Sequence, residues 1–301
     1  EKAEPATAST ANGLVVVMRG ASSLAPDDET LSFLSVMAQD TIEASSRLAL
    51  TMGARLDRYG DVDTRITPRA SLVFRASDRN ILKFQWAEGF RAPTFFELYS
   101  RGFRQSALNF EVNRTAEVNF VHRRPETVIR LTAYRSELID LIYLVNVDAQ
   151  RRLVFENHRR ARVFGGEIEM DRQLGKKLKA VFNASWFDVR DSRNALNAFV
   201  EGDTVPAFMG NLALIAAPHP RTRLTARLYR VGKRASATLP AYGEFEFTAT
   251  QKGVFTRGLN LRAGLRLSRG AGVLYSHVRP TNTLALAYEF PKYFAELSWS
   301  R

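Results

Sequence analysis

The chain has 301 residues and carries 43 lysines and arginines against 31 aspartates and glutamates, a formal net charge of +12. Hydrophobic residues make up 45% of the chain and charged residues 25%, a composition that excludes wholesale disorder. The chain has no cysteine, which excludes disulfide scaffolds, zinc–thiolate sites and cysteine nucleophiles.

Apolar and polar residues alternate with a period of two along the chain, which predicts β-strands. After a polar, Ala/Thr-rich tether or loop at residues 1–12, the first strand is expected at residues 13–19. Residues 48–57 and 259–268 show the alternation most clearly. Further strands are expected at residues 67–76, 81–90, 117–123, 127–135, 179–187, 244–250 and 284–290. About 15 strands are predicted in all, with one short helix at residues 94–100, so the chain is all-β.

Strand length and the composition of the polar face indicate a membrane protein. Many segments are about ten residues long, the length that a tilted strand needs to cross a bilayer. Their polar faces mix arginine, aspartate, asparagine, glycine and serine, as the wall of a wet lumen does. The longest uncharged stretch, residues 204–220, contains prolines and is too short for a membrane-spanning helix. The pattern predicts an antiparallel transmembrane β-barrel of outer-membrane type, with about 14–16 strands in this chain; a soluble β protein is the alternative.

Connections between strands alternate between short and long. Short ones are expected near residues 44–46, 77–80, 123–126, 173–177, 217–221, 251–255 and 290–292. Longer ones are expected near residues 21–29, 58–65, 91–114, 190–205, 232–241 and 269–282. The exception is residues 148–151, where two long strands are expected to extend far past the membrane. Outer-membrane barrels have short periplasmic turns and long extracellular loops, so the alternation also predicts which strand ends face outward.

Four short motifs follow one another in a recognisable order. They are residues 36–40 (VMAQD), residues 50–57 with 67–71 (LTMGARLD and TPRAS), residues 89–99 (GFRAPTFFELY), and residues 156–157 with 163–169 (EN and VFGGEIE). In this order they resemble the barrel of TonB-dependent outer-membrane receptors, over residues 31–290. The resemblance implies a protein of the outer membrane of a Gram-negative bacterium that is not an enzyme. Such receptors admit a scarce nutrient when an inner-membrane energy-coupling protein pulls on an N-terminal plug.

The central motif, residues 89–99, is expected to have a structural role. The residues that carry the resemblance are Phe90, Arg91, Pro93, Glu97 and Leu98. Proline ends strand pairing. Arg91 and Glu97 are placed to pair inside the wall and to hold the root of the loop that follows.

The chain departs from the family pattern in three ways. No plug domain precedes the barrel strands, so an energy-coupling partner applies only if a plug is supplied elsewhere. The family's barrel has 22 strands, whereas the count here is smaller and odd, and a closed barrel needs an even one. Residues 284–290 resemble the family's last strand, yet residues 291–301 form an extra C-terminal strand or tail. We therefore expect residues 13–290 to be a partial barrel, completed by residues or a second chain outside this sequence.

The long loop after the motif holds the candidate ligand contacts. They combine aromatic rings with arginines: Phe95, Phe96, Tyr99, Arg101, Phe103 and Arg104. Aromatic faces and arginine forks suit an anionic, aromatic chelate such as a ferric catecholate. The alternative is that the rings only pack the loop against its neighbours.

A second set of candidates is the positive charge expected to face the lumen. Its members are Arg55, Arg227, Arg262 and Arg266. They either steer anions inward or pair with strand carboxylates such as Asp57, Glu244 and Glu246.

Other kinds of site are not indicated by the sequence. The four histidines are scattered, which disfavours haem, and no metal cluster, cofactor motif or nucleophile–base pair stands out. The arginines are spread over the whole chain, so nucleic acid is not an expected partner, whereas outer-membrane lipid and lipopolysaccharide are. We therefore expect uptake of an anionic, ferric siderophore-like chelate. The alternative is a plugless barrel that serves as an envelope scaffold subunit or a passive pore.

Overall fold

The computed structural model describes most of the chain. The described residues are 9–10, 14–17, 30–60, 62–99, 107–146, 153–191, 206–233, 241–256, 258–269, 272–273, 286–287 and 292–299. Within these residues no helix is long and apolar enough to cross a membrane.

The described residues form β-strands and one short helix. In chain order the elements are β1 (Ser9–Thr10), β2 (Leu14–Val17), β3 (Thr30–Ser45), β4 (Leu48–Tyr59), β5 (Thr64–Arg75), β6 (Asn80–Arg91), α1 (Phe95–Tyr99), β7 (Glu111–Arg124), β8 (Thr127–Asn146), β9 (Leu153–Gln173), β10 (Leu178–Asp191), β11 (Phe208–His219), β12 (Thr222–Val231), β13 (Tyr242–Lys252), β14 (Leu259–Arg269), β15 (Gly272–Val273), β16 (Leu286–Ala287) and β17 (Lys292–Trp299). The prediction of an all-β chain is confirmed. The short helix lies where the sequence predicts one.

One antiparallel sheet contains nearly all of these strands. Its order is β1-β3-β4-β5-β6-β7-β8-β9-β10-β11-β12-β13-β14-β17, and β2 also pairs with β3. Strands that are consecutive in the chain are therefore neighbours in the sheet from β3 to β14. Ser9–Thr10 lies within the predicted tether at residues 1–12 and is paired with β3.

The predicted alternation produces one apolar and one polar face. In β11 to β14 the cross-strand partners Leu212, Leu228, Phe245 and Leu267 form one row, and all four side chains are 38–53% exposed. The adjacent row brings Arg227, Glu246 and Arg266 opposite one another. Large exposed apolar rows are disfavoured in water and suit a lipid environment.

Contacts divide the chain into two compact units, and the same two-faced pattern occurs in both. The first unit contains residues 1–119, 133–164 and 189–198, and the second contains residues 120–132, 165–188 and 199–301. In the first unit Val36, Leu56 and Ile66 are exposed cross-strand partners. The row beside them joins Ser35 to Asp57, and both are buried.

The connections have the predicted alternation, with one correction. Short turns join β3 to β4, β5 to β6, β7 to β8, β9 to β10 and β11 to β12, whereas the helix lies in the long connection from β6 to β7. β8 and β9 have 20 and 21 residues, as expected for the two long strands on either side of residues 148–151. The connection near residues 58–65 was expected to be long, but it is a tight turn. It is closed by backbone hydrogen bonds from Tyr59 to Asp63 and from Val62 to Tyr59.

The C-terminal strand order differs from the expectation. Residues 284–290 were expected to follow β14 in the main sheet, but β17 occupies that place. Of residues 284–290 the structure describes Leu286–Ala287, which pair with Gly272–Val273 in a separate two-stranded sheet. In the register of β17, Glu296 lies opposite Arg262 and Leu297 lies opposite Leu261, so the cross-strand pairs join unlike charges on one face and leucines on the other.

Candidate functional site

The root of the long loop after β6 is fixed by one guanidinium that holds two carboxylates. Arg91, the last residue of β6, donates from Nη1 and Nη2 to Glu97 at 2.9 and 3.1 Å. It donates from Nε and Nη2 to Glu111, the first residue of β7, at 2.5 and 2.6 Å. The two carboxylate side chains are only 14% and 15% exposed, so each depends on Arg91 for compensation. The arginine thereby joins both ends of the loop to its helix.

Helix α1 begins with a reciprocal cap. Thr94 Oγ1 accepts from the backbone N–H of Glu97 at 3.3 Å, and Glu97 Oε2 accepts from the backbone N–H of Thr94 at 2.6 Å. This is a capping box, which satisfies two backbone donors at the start of a helix. Leu98 donates its backbone N–H to the carbonyl of Thr94, and Pro93 is buried just before the cap. The T-x-x-E spacing in the sequence could have identified Thr94.

The Glu97 carboxylate is held ionised at this position. Burial by itself favours the neutral acid, but hydrogen bonds from Arg91 and Thr94 outweigh it. The pKa of Glu97 therefore lies below its ordinary value of 4.5.

A second group of contacts, missed by the sequence interpretation, ties β7, β8 and β9 together near the same loop. Asp140 has φ of 56°, a left-handed conformation that interrupts the extended backbone of β8. Asn157 on β9 donates to the Asp140 carbonyl at 2.6 Å and also bonds both backbone groups of Asn109. Glu111 accepts from the backbone N–H of Ile142 at 2.8 Å. The one sequence signal for this network is Asn157, the asparagine of the 156–157 motif.

Aromatic residues pack beside the loop root. The Tyr59 ring lies 5.6 Å from Phe33, 5.9 Å from Phe90 and 5.6 Å from Phe110, measured between ring centroids. Phe90 and Phe110 are 4.9 Å apart, and Phe110 is only 4% exposed. Phe90 thus connects the motif to a packed cluster at the ends of β3, β4 and β6.

The structure describes three of the six candidate ligand contacts. Phe95 and Tyr99, one helical turn apart on α1, have ring centroids 4.9 Å apart. Phe96 is 46% exposed and lies 6.0 Å from the ring of Phe155. Arg101, Phe103 and Arg104 lie outside the described residues.

The four candidate lumen arginines lie on the polar face near carboxylates. Arg55 donates to Asp57, which is fully buried, at 2.7 Å, and Arg266 donates to Glu246 at 2.8 Å. Arg227 is the cross-strand partner of Glu246. Arg262 lies 3.8 Å from Glu296 and 5.2 Å from the centre of the Phe294 ring. Much of this positive charge is therefore balanced within the wall.

The described residues offer no metal centre. No group of three or more histidines, aspartates and glutamates is arranged there to hold a metal ion. The hydrogen bonds at the loop root hold α1 and its aromatic side chains against the ends of β6 and β7.

Comparison with known proteins places the chain in a family. A family model described as "TonB dependent receptor-like, beta-barrel" matches residues 5–281. No curated protein matches.

Solved structures provide the second comparison. The siderophore receptor PirA from Pseudomonas aeruginosa has 19% identity and a TM-score of 0.64, with 81% of this chain and 44% of that chain covered. The ferric enterobactin receptor PfeA from the same organism, solved with enterobactin, has 19% identity and a TM-score of 0.64, with coverages of 79% and 40%. PirA from Acinetobacter baumannii has 14% identity and a TM-score of 0.68, with coverages of 91% and 46%.

These likenesses establish the fold, and the chain spans less than half the length of each solved receptor. They confirm the predicted barrel-type fold of outer-membrane proteins. The family and its structural neighbours are transport receptors rather than enzymes. The chain belongs to the TonB-dependent receptor-like β-barrel family, whose members lie in the outer membrane of Gram-negative bacteria.

Proposed function

We propose that this chain is the barrel part of an outer-membrane receptor that takes up a small, anionic, ferric siderophore-like chelate. The observation that carries the proposal is the platform at the end of β6. Arg91 fixes α1 against both strands that flank the loop, and α1 presents Phe95, Phe96 and Tyr99 just before Arg101 and Arg104. A fixed platform lowers the entropy cost of ordering side chains around a ligand.

The proposed ligand follows from the chemistry of these side chains. Aromatic faces stack on planar rings, and arginine forks bind anionic oxygens in two-point contacts. A ferric catecholate combines planar rings, oxygen donors and net negative charge. Solved receptors of similar fold are named as siderophore receptors, and one was solved with enterobactin, which supports this ligand class.

The proposed uptake needs a partner that supplies energy. In this family an inner-membrane protein of TonB type acts on a plug domain inside the barrel. Because this chain covers less than half of the solved receptors, we place the plug in the rest of the protein or in a second chain. The barrel then forms the walls and the ligand-facing loops.

Binding by the complete receptor tests the ligand site. The variant Arg101→Ala/Arg104→Ala is expected to weaken binding of a ferric catecholate by about tenfold or more, because two charge-assisted contacts are lost. The matched control is Arg123→Ala/Arg124→Ala, which removes the same charge from the other end of β7. Titration is followed by quenching of tryptophan fluorescence.

Three outcomes contradict the proposal. Equal loss in both variants attributes the effect to net charge rather than to the loop. Unchanged binding in the loop variant removes the loop site. Steady ion conductance through the complete protein in a planar bilayer, without any ligand binding, favours the passive pore.

A further inference from the structure

Strand β9 touches the long loop between β6 and β7 at two points. The ring of Phe155 lies 6.0 Å from the ring of Phe96 on α1, in an edge-to-face arrangement. Asn157, two residues further along β9, bonds Asn109 on the returning part of the loop. Residues two apart on a strand share one face, so one side of β9 meets both the helix and the returning part.

The side-chain amide of Asn157 is fully used in its contacts. Its Nδ2 donates to the Asn109 carbonyl at 3.0 Å and to the Asp140 carbonyl at 2.6 Å. Its Oδ1 accepts from the backbone N–H of Asn109 at 2.7 Å. Both amide hydrogens and the side-chain oxygen therefore have partners. An ionised aspartate of the same size could accept from this N–H but could not donate to either carbonyl.

The backbone groups that Asn157 bonds lie outside regular strand geometry. Asn109 lies just before β7 begins, and Asp140 has the left-handed φ of 56° within β8. A side chain from β9 thus supplies hydrogen bonds that these backbone groups need. Leu108 and Phe110, on either side of Asn109, are 6% and 4% exposed, so the returning part is packed where Asn157 holds it.

The segment that carries the candidate ligand arginines is thereby tied at both ends. Arg91 fixes α1 on one side, and Asn157 fixes Asn109 on the other. Arg101 and Arg104 lie between these two anchors in the sequence. Fixing both ends of a segment lowers the entropy cost of ordering it around a ligand.

We propose that Asn157 is a positioning residue for ligand binding, which acts from β9 through Asn109 on the segment that carries Arg101 and Arg104. The inference rests on the proposed function and gives β9 a part in a site built on a different loop. Asn157 acts without touching the ligand, because its polar atoms are occupied by backbone groups. It sets where the returning part of the loop lies, and Phe155 holds the helix against the same strand.

Binding of ferric tris-catecholate by the complete receptor tests this role. Asn157→Ala and Asn157→Asp are both expected to weaken binding about tenfold, because each loses the two hydrogen bonds that Nδ2 donates. The matched control is Asn183→Ala, which removes an exposed asparagine of β10 and is expected to leave the affinity unchanged.

A double-mutant cycle separates positioning from a general loss of stability. In the Arg101→Ala/Arg104→Ala background, Asn157→Ala is expected to weaken binding by less than about twofold further, because the contacts that it positions are already absent. A further loss as large as in the unchanged background would overturn the positioning role.

Hydrogen exchange provides a readout that does not depend on a ligand. Exchange of the Asn109 amide is expected to rise in Asn157→Ala, whereas the amides of β12 and β13 keep their protection. Unchanged exchange at Asn109 would show that Asn157 is not an anchor. Equal loss of protection in β12 and β13 would assign the effect to global destabilisation and contradict the proposal.

Failure of the proposed function would give a different result from failure of this inference. If the unchanged receptor binds no ferric tris-catecholate, the proposed uptake function and the positioning role for this ligand are both wrong. If the unchanged receptor binds it and both Asn157 variants bind it equally well, the proposed function stands and the positioning role alone is wrong.

Discussion

At the scale of single residues, the described part of the wall contains ion pairs in which one charged group serves two partners. Arg91 holds the carboxylates of Glu97 and Glu111 and thereby closes the root of a long loop. On β6 the Glu88 carboxylate shows the reverse arrangement, because it accepts from both Arg65 and Arg114. Shared ion pairs of this kind order a wall whose polar face is crowded with charge.

Removing the guanidinium of Arg91 leaves two largely buried carboxylates without this cation, although each still accepts from a backbone N–H, that of Thr94 for Glu97 and that of Ile142 for Glu111. For Arg91→Ala we expect the free energy of local opening at the loop root to fall by about 1–3 kcal/mol. The exposed pair Arg130–Glu169 provides the control, since its side chains are 44% and 50% exposed and Arg130→Ala is expected to cost less than about 1 kcal/mol. Hydrogen exchange of the α1 amides measures the difference. Equal protection of α1 in both variants would contradict the role given to Arg91.

Acid is expected to loosen the same loop root. The pKa of Glu97 lies below its ordinary value of 4.5, so its stabilising contribution is complete above that pH and is lost as the pH falls through the lower, folded-state value. Exchange of the α1 amides, corrected for the intrinsic pH dependence of exchange, is expected to rise below pH 4.5. In Glu97→Gln this rise is expected to be absent. A rise of the same size in that variant would assign the effect to another group.

At the scale of elements, register decides which strands become neighbours. Residues 284–290 and 292–299 both alternate, so alternation alone could not tell which of them pairs with β14. β17 supplies specific partners: Glu296 faces Arg262, and Phe294 lies over Gly264, where a side chain would leave no room. A glycine opposite an aromatic ring is a known device for fixing strand register.

Gly264 is the residue at which this close approach is most easily tested. A Cβ added there would lie 2.5 Å from the Phe294 ring and 2.9 Å from the Phe247 carbonyl oxygen. We expect Gly264→Ala to cost about 1–3 kcal/mol through overpacking. Gly89→Ala is the matched control, because no atom lies within 4 Å of its added Cβ, and it is expected to be neutral or slightly stabilising. Urea unfolding from lipid vesicles compares the two; a neutral Gly264→Ala would contradict the register argument.

The difference between contacts within a local motif and contacts across paired strands explains how much of the site could be predicted from sequence. The loop-root pair of Arg91 and Glu97 lies six residues apart, and a local motif is enough to suggest it. Glu111, Asn109 and Asn157 come together only through the pairing of β7, β8 and β9 and the left-handed Asp140. Such contacts depend on the register between strands that are far apart in sequence. The alternation of apolar and polar residues does not determine that register.

At the scale of the whole molecule, the two faces of the sheet meet different surroundings. Phe84 on β6 is 45% exposed and belongs to a row with Leu50 and Leu72, whereas the adjacent Gln85 donates to Glu117 at 3.2 Å. In a barrel of this family the first face meets lipid and the second meets the lumen. The two faces of the sheet therefore agree with the outer-membrane location of the family.

A pair of neighbouring substitutions tests this assignment. Phe84→Arg places a charge on the apolar face, near the middle of the band that meets the bilayer core. It is expected to lower the free energy of unfolding by about 2–4 kcal/mol. Gln85→Arg places the same charge beside Glu117 and is expected to be nearly neutral. Urea-driven unfolding from phospholipid vesicles measures both. Similar costs at the two positions would contradict a lipid-facing row.

Uptake of radioactive iron from a ferric catecholate by cells that carry the complete protein tests the central claim most directly. A receptor predicts saturable uptake that stops when the proton-motive force is collapsed and that falls in Arg101→Ala/Arg104→Ala but not in Arg123→Ala/Arg124→Ala. Uptake that is linear in chelate concentration and indifferent to both the proton-motive force and the loop variant would contradict the account and identify a passive pore.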